Sequence, residues 1–350
     1  MRLSRRQLNR TLLLRQHLHE RTDLDPAAMV RHLVGLQAQE PLPPYLSLAA
    51  RLREVDPWAV SVMIERRELV RVLSLRDTVH LHVPEDAVTL PVWAAPVRER
   101  EVRVSQSIGE ARNVDRAAFR EAVADLLAAG PLPQRTLATA LAERFPDHRP
   151  AQLGQLARVA CVLVQTPPRG CWKPTASTAV AYEFADRWTG LPLEEPVVAE
   201  VLRRYLRAFG PATAADMVTW SGITGLAAVL RSMDDLVRHE DADGKALVDL
   251  ADAPIADEDS PAPVRLLGTY DNLWLSHAAR DRVTEPEKRR IWMGANGASL
   301  NALFVDGWLE GLWSAQDGRV VVSDLQRRLT RAEQAGLDAE VARVEDLLGR

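Results

Sequence analysis

The chain has 350 residues, 47% of them hydrophobic, 26% charged and two of them cysteine, with a formal net charge of −4. That is enough apolar material for several buried cores. No apolar run approaches the about 18–20 residues a membrane helix needs, and Cys161 and Cys171, ten residues apart, fit no zinc spacing and read as reduced core thiols.

The total charge conceals an uneven distribution. Asp234 to Asp259 hold ten acids against Arg238 and Lys245, a local net of −8, so the remaining residues sum to +4. Residues 1–21 carry six arginines and one acid. Such polarity allows a basic, DNA-facing surface on an acidic protein, and Arg5, Arg6 and Arg10 are the first candidates for phosphate contacts. The basic start lacks the apolar core of a signal peptide, so a cytoplasmic protein is expected.

In chain order, Ser4 is placed to cap a helix over about 5–20, and Pro26 opens a second that stops at Gly35. Helices over about 45–53 and 57–68 follow, then "LVRVLSLRDTVHLHV", which alternates like a hairpin with its turn near Asp77. Gly130-Pro131 and Gly210-Pro211 each separate two amphipathic helices, and each group ends in a plausible hairpin, around Pro167–Gly170 and around Asp243-Gly244. Helices followed by a hairpin, three times over, predict an α+β chain of three tandem winged-helix units at 1–112, 113–192 and 193–261. The last third is strand-rich, with Asp-Gly turns at Asp306 and Asp317. It predicts a small β-barrel or curled sheet over 262–324 and a charged amphipathic helix over 325–350.

The stretch with chemical content is "GLQAQEPLPPYL". Gly35 ends a helix, and Pro41, Pro43 and Pro44 favour extended backbone before them. Gln37 and Gln39, two apart in extended chain, would point together, with Ala38 turned inward. Two side-chain amides can hold and aim a water but cannot deprotonate it. Such a site suits only a primed electrophile, such as a nucleotide whose purine is alkylated at N7 or N3 and whose cationic base departs readily. Helix-end glutamines with no chemical role remain the alternative.

Other candidates carry paired readings. His80 and His82 share a strand face and would chelate a metal only with a third ligand, which is not evident, so packing or a DNA contact is expected. Arg76 either reaches DNA or pairs with Asp77. Asp271, in "YDNLWLSHAARDRV", is the one nearby carboxylate for stabilising cationic charge, or it simply closes a turn. Arg280 and Arg282 would contact phosphate from the far side of a cleft. No P-loop, GxGxxG, HExxH or GxSxG occurs.

On "GLQAQ", "RVLSLRDTVHLHV", "YDNLWLSHAARDRV" and "VDGWLEGLW", the sequence resembles the AlkZ/YcaQ-type winged-helix DNA glycosylases, the helix-turn-helix 42 superfamily that includes azinomycin self-resistance proteins. The resemblance spans nearly the whole chain. It implies tandem winged helices plus a β-barrel in a C shape around a cleft of DNA size. It also implies a Q-x-Q catalytic signature on Gln37 and Gln39, and excision of alkylated purines, bulky adducts or interstrand crosslinks from duplex DNA. No metal or cofactor is implied, and a monomer is expected. The alternative is a non-enzymatic winged-helix DNA-binding regulator.

Overall fold

The computed structural model describes residues 1–173, 179–292 and 300–350. The predicted spans 113–192 and 262–324 therefore lie partly outside the described residues. The chain is a mixed α/β protein, and one continuous apolar core runs from Leu12 in the first helix to Leu347 in the last.

Three stretches each run through helices into an antiparallel strand pair. The first has helices Arg5–Arg15, Pro26–His32, Pro43–Arg51 and Pro57–Glu65, with the short strand β1 (Leu36–Gln37) between, followed by β2 (Val70–Leu73) and β3 (Val79–His82). The second has helices Arg116–Leu126, Gln134–Arg144 and Pro150–Ala160, a short β4 (Leu132–Pro133), then β5 (Leu163–Gln165) and β6 (Ala181–Phe184). The third has helices Val198–Phe209, Ala214–Ser221 and Leu226–Ser232, then β7 (Leu236–Glu240) and β8 (Ala246–Leu250).

Several boundaries moved for local reasons. Ser4 caps the first helix, its Oγ accepting from Gln7 N–H at 3.0 Å, but the helix stops at Arg15 because His17 turns left-handed at φ 55°. Pro43 and Pro44 start a helix rather than extend a strand. The second hairpin does not turn back within Pro167–Gly170, since the partner of β5 is β6, at 181–184.

The strands of the first two stretches merge. They form one six-stranded sheet, ordered β1-β3-β2-β5-β6-β4, in which Arg71 of β2 pairs with Gln165 of β5. The β2–β3 hairpin is therefore not a free wing. Its tip, Leu75–Asp77, packs against the helices Ala95–Val104 and Ala214–Ser221, and Leu75 is buried.

The C-terminal strands are β9 (Arg265–Leu267), β10 (Asn301–Val305), β11 (Trp308–Gln316) and β12 (Arg319–Ser323). Both Asp-Gly hairpins form, with Asp306, Gly307, Asp317 and Gly318 all at positive φ, as a two-residue turn demands. The order β12-β11-β10-β9 is an open sheet, so among the described residues the strands do not close into a barrel. The final helix runs Arg331–Gly349, capped reciprocally by Thr330 and Glu333.

The N-terminal helix is stapled to this distant sheet. Asn9 Nδ2 donates to the Gly307 carbonyl at 2.7 Å, and Arg10 reaches the Asp306 carbonyl at 2.8 Å as well as its carboxylate. Two fully buried ion pairs add to the closure, Arg15 with Asp249 and Arg51 with Asp271, each at 2.7 Å.

Gly35 fixes the entry into β1. It sits at φ 100°, and a Cβ there would overlap the His82 imidazole. Gly35→Ala meets both a backbone penalty and a clash, so it is expected to destabilise the chain by at least about 1 kcal/mol. A thermal melt of that variant matching the unmodified chain would contradict the packing described.

Candidate functional site

The helix Pro26–His32 ends in two left-handed residues, Val34 and Gly35, with Gly35 N–H returning to the Val30 carbonyl at 2.9 Å. Asn272 holds the exit from outside, donating Nδ2 to the Gly35 carbonyl at 2.9 Å. The chain then enters β1 at the sheet edge, where Leu36 pairs with Leu81 and Gln37 with His80. Ala38 N–H donates to the Val79 carbonyl at 2.7 Å, and Ala38 itself is fully buried.

At Ala38 the ladder is left half-made. The Val79 N–H would ordinarily go to the Ala38 carbonyl. That carbonyl instead accepts from the Arg71 guanidinium at 2.5 Å, and Val79 N–H donates to Gln39 Oε1 at 3.2 Å. The chain bends away at Gln39, which is exposed, while Gln37 is 8% exposed.

The two amides are oriented by partners that can only donate. Arg76 donates one guanidinium nitrogen to Gln37 Oε1 at 3.1 Å, and the Val79 N–H holds Gln39 Oε1. Each carbonyl oxygen therefore faces the protein, and each –NH₂ is directed elsewhere. Among the described residues no side chain or backbone group takes a hydrogen bond from either Nε2.

Beneath Gln37 lies His80, 2% exposed. Its Nδ1–H donates to the Thr78 carbonyl at 3.0 Å, which leaves Nε2 as an acceptor for Arg76 at 3.2 Å. Burial, Arg76 and His82 hold the His80 pKa well below its ordinary value, so the imidazole is neutral. Arg71 grips the loop from the other sheet face, since it pairs across the sheet with Leu81 whereas His80 pairs with Val72. Burial, with Arg169 nearby, pulls Arg71 down to about 10; burial, with Arg280 nearby, does the same to Arg76. Both remain cationic at neutral pH.

The other predicted site residues take roles different from those expected. Arg76 neither projects into solvent nor pairs with Asp77; it turns inward to Gln37, His80 and the Trp220 carbonyl. His80 is too buried to touch DNA. Asp271 is not free to balance a cation, because Arg51 takes both its oxygens at 2.7 and 2.8 Å and Ser47 adds a third bond. Burial would raise that carboxyl, but Arg51 outweighs it and holds the pKa below the ordinary value.

The N-terminal arginines are committed internally. Arg10 is 1% exposed and bound to Asp306, Arg6 pairs with Asp306 at 2.9 Å, and Arg5 pairs with Glu285 at 2.9 Å. Arg282 is buried, donating to the Pro211 carbonyl at 2.6 Å. Arg280 is half-buried against Trp274 and close enough to Arg76 to depress its pKa. Missed from sequence were Arg71, Asn272 as the anchor of Gly35, and the Trp220 carbonyl. Arg71 alone left a trace, as a charge inside the apolar run "LVRVL".

The two –NH₂ groups offer four N–H donors, and each amide oxygen keeps a spare lone pair to accept with. No carboxylate hydrogen-bonds either glutamine among the described residues, so the pair offers placement rather than strong-base chemistry.

The model of the AlkZ-like family, described as DNA glycosylase AlkZ-like, matches residues 30–347. An interstrand DNA cross-link repair glycosylase of Streptomyces sahachiroi is 28% identical over 347 residues, covering 92% of this chain and 91% of its own. The solved structure of Streptomyces sahachiroi DNA glycosylase AlkZ aligns with TM-score 0.80 at 24% identity, covering 100% of this chain and 98% of that one. This last likeness is one of fold.

Five histidines share the depressed state of His80. Burial is the leading cause in each: His17 and His82 are lowered to about 4, His277 to about 3, and His32 and His239 are also lowered. The unfolded chain binds protons on these groups below about pH 6.5 and the folded chain does not, so stability falls as pH drops from 6.5 toward 4. For the fully buried His82 and His277 the loss by pH 5 is on the order of 1–2 kcal/mol each. Melting temperatures at pH 7.5 and 5.0 check this, and equal values would show that these imidazoles are not held neutral.

Proposed function

The chain belongs to the AlkZ-like family of DNA glycosylases, and we propose that it hydrolyses the N-glycosidic bond of N7-alkylated purine nucleotides in duplex DNA, with a water held by Gln37 and Gln39. The observation that carries this reading is the anchoring of both amide carbonyls by donor-only partners, with no described group accepting from either –NH₂. A water can accept from one amide N–H and donate to the spare lone pair of the other oxygen. One of its own lone pairs then remains for C1′.

The step needs no strong base. Water oxygen bonds to C1′, the C1′–N9 bond breaks, and its electron pair neutralises the cationic purine. The departing proton goes to solvent. The leaving group is activated by alkylation itself, so positioned neutral groups suffice. Nothing supports a lysine adduct: Lys173 donates to the Leu348 carbonyl at 2.7 Å, Lys288 pairs with Glu310 at 2.6 Å, and Lys245 lies beyond the acidic turn of the β7–β8 hairpin. The product is an intact abasic strand.

The description of the Streptomyces sahachiroi relative as a cross-link repair glycosylase supports extending the substrate class to bulky adducts and interstrand crosslinks. Such lesions are costly to flip out of the stack, which favours attack in place. Arg280, half-exposed near Arg76, is the phosphate contact we retain from the sequence.

We read the three helix-and-hairpin stretches as tandem winged helices. In the second and third, the segment after the first helix pairs with the returning strand of the hairpin, Pro133 with Ala181 and Ala212 with Val248. A cytoplasmic monomer is the expected form. Among the described residues no helix is long and apolar enough to cross a membrane. A DNA-binding regulator is disfavoured by the family.

Gln37→Ala and Gln39→Ala are each expected to slow guanine release from an N7-methylguanine duplex by about 100-fold or more, with duplex affinity retained in a gel-shift titration. Unaltered release in both variants would remove the water-holding assignment. Strand scission without heat or base would contradict the proposed product.

A further inference from the structure

Four buried arginines of this chain meet carboxylates: Arg15 with Asp249, Arg51 with Asp271, Arg10 with Asp306 and Arg265 with Glu340. Arg71, Arg98 and Arg282 instead meet backbone carbonyls. Arg76, partly buried, joins a backbone carbonyl to two neutral side chains of the candidate site. Its partners among the described residues are the Trp220 carbonyl through Nη1, and Gln37 Oε1 at 3.1 Å and His80 Nε2 at 3.2 Å through Nη2. Its neighbour Asp77 faces elsewhere, with a carboxyl pushed up to about 6 by burial. Arg76 also stands in left-handed backbone at φ 55°, which a long side chain adopts at a cost of about 1 kcal/mol.

We propose that Arg76 is a positioning residue of the glycosylase site, acting on the substrate only through Gln37. The inference rests on the reading of Gln37 and Gln39 as the pair that holds the water. A terminal amide rotates broadly and with near two-fold symmetry, so an unanchored Gln37 presents oxygen or nitrogen outward with similar ease. A donor-only guanidinium on Oε1 removes that ambiguity and fixes the –NH₂ outward. Because the donor is charged, it also polarises the amide and strengthens its N–H groups.

Three surrounding features serve this placement. His80 carries its proton on Nδ1, directed at the Thr78 carbonyl. Its Nε2 therefore shares the guanidinium arm as an acceptor and does not compete as a second donor to Gln37. The other arm is tied to the Trp220 carbonyl in the helix Ala214–Ser221, so the cation cannot swing away. That helix ends at Gly222, φ 81°, where a Cβ would press on the Arg76 backbone at 3.2 Å. The bare glycine allows the hairpin tip to come this close.

The test is single-turnover release of guanine from an N7-methylguanine duplex by the full-length chain. Rates are read at saturating enzyme alongside the enzyme concentration for half-maximal rate. Arg76→Ala is expected to slow the saturated rate about tenfold or more and to leave the half-maximal concentration within about twofold. Methylguanidine in the assay should restore part of the Arg76→Ala rate and none of the Gln37→Ala rate. The double variant Arg76→Ala/Gln37→Ala should be no slower than Gln37→Ala alone.

Wild-type release by Arg76→Ala beside an inactive Gln37→Ala overturns the inference and leaves the water-holding reading intact. Additive losses in the double variant also overturn it, because Arg76 would then act independently of Gln37. Wild-type release by Gln37→Ala, or no release by the unmodified chain, overturns the reading itself. Where Arg76→Ala fails to melt cooperatively, Arg76→Lys replaces it. Lysine keeps the charge but cannot bridge three acceptors with a fork, so a slower saturated rate is expected and an unchanged one overturns the proposal.

Discussion

A β-ladder that stops one bond early organises this molecule's functional edge. At Ala38 the pairing between β1 and β3 makes one backbone hydrogen bond and forgoes its mate. A buried N–H and a buried carbonyl left without partners would each cost on the order of 1–3 kcal/mol. Side chains answer both needs: Arg71 takes the carbonyl of Ala38, and Gln39 takes the N–H of Val79. The catalytic candidates are thus part of the sheet's own closure. The bond that satisfies Val79 N–H also fixes the Gln39 carbonyl, while Arg76 fixes that of Gln37.

Much of this was legible in the residues. The Ser4 cap, the Asp-Gly turns, the helix stop at Gly35 and the inward Ala38 follow from local chemistry that neighbouring residues enforce. The candidate pair stands out in sequence because glycine and proline punctuate it on both sides. The partners of the site were not. Arg71 comes from the next strand and Trp220 from a helix about 180 residues on, and no periodicity encodes which arginine meets which carbonyl.

The charge run is partly satisfied inside the fold. An arginine-rich N-terminus beside an acidic segment suggests a face turned toward DNA, yet Arg5, Arg6, Arg10 and Arg15 bind this chain's own Glu285, Asp306 and Asp249. Complementary runs far apart in sequence can be each other's partners, and composition does not distinguish that from an external anion. Of the two readings for the C-terminal strands, among the described residues the open sheet holds and the barrel does not. Alternation marks β9 to β12 as strands, but whether a sheet closes depends on the pairing of its two edges, which lies beyond any one segment.

The staple between the first helix and the β10–β11 turn bears on how the chain is made. Arg10 and Asp306 lie 296 positions apart in sequence. On a ribosome, the helix Arg5–Arg15 emerges long before the turn that receives it. Its guanidiniums and apolar stripe must wait, solvated or shielded by other factors, until the residues around Asp306 have left the exit tunnel. Assembly of this protein is therefore a late, long-range event, slow by the logic of loop closure, and a nascent chain halted before Asp306 lacks the contact that holds its beginning in place.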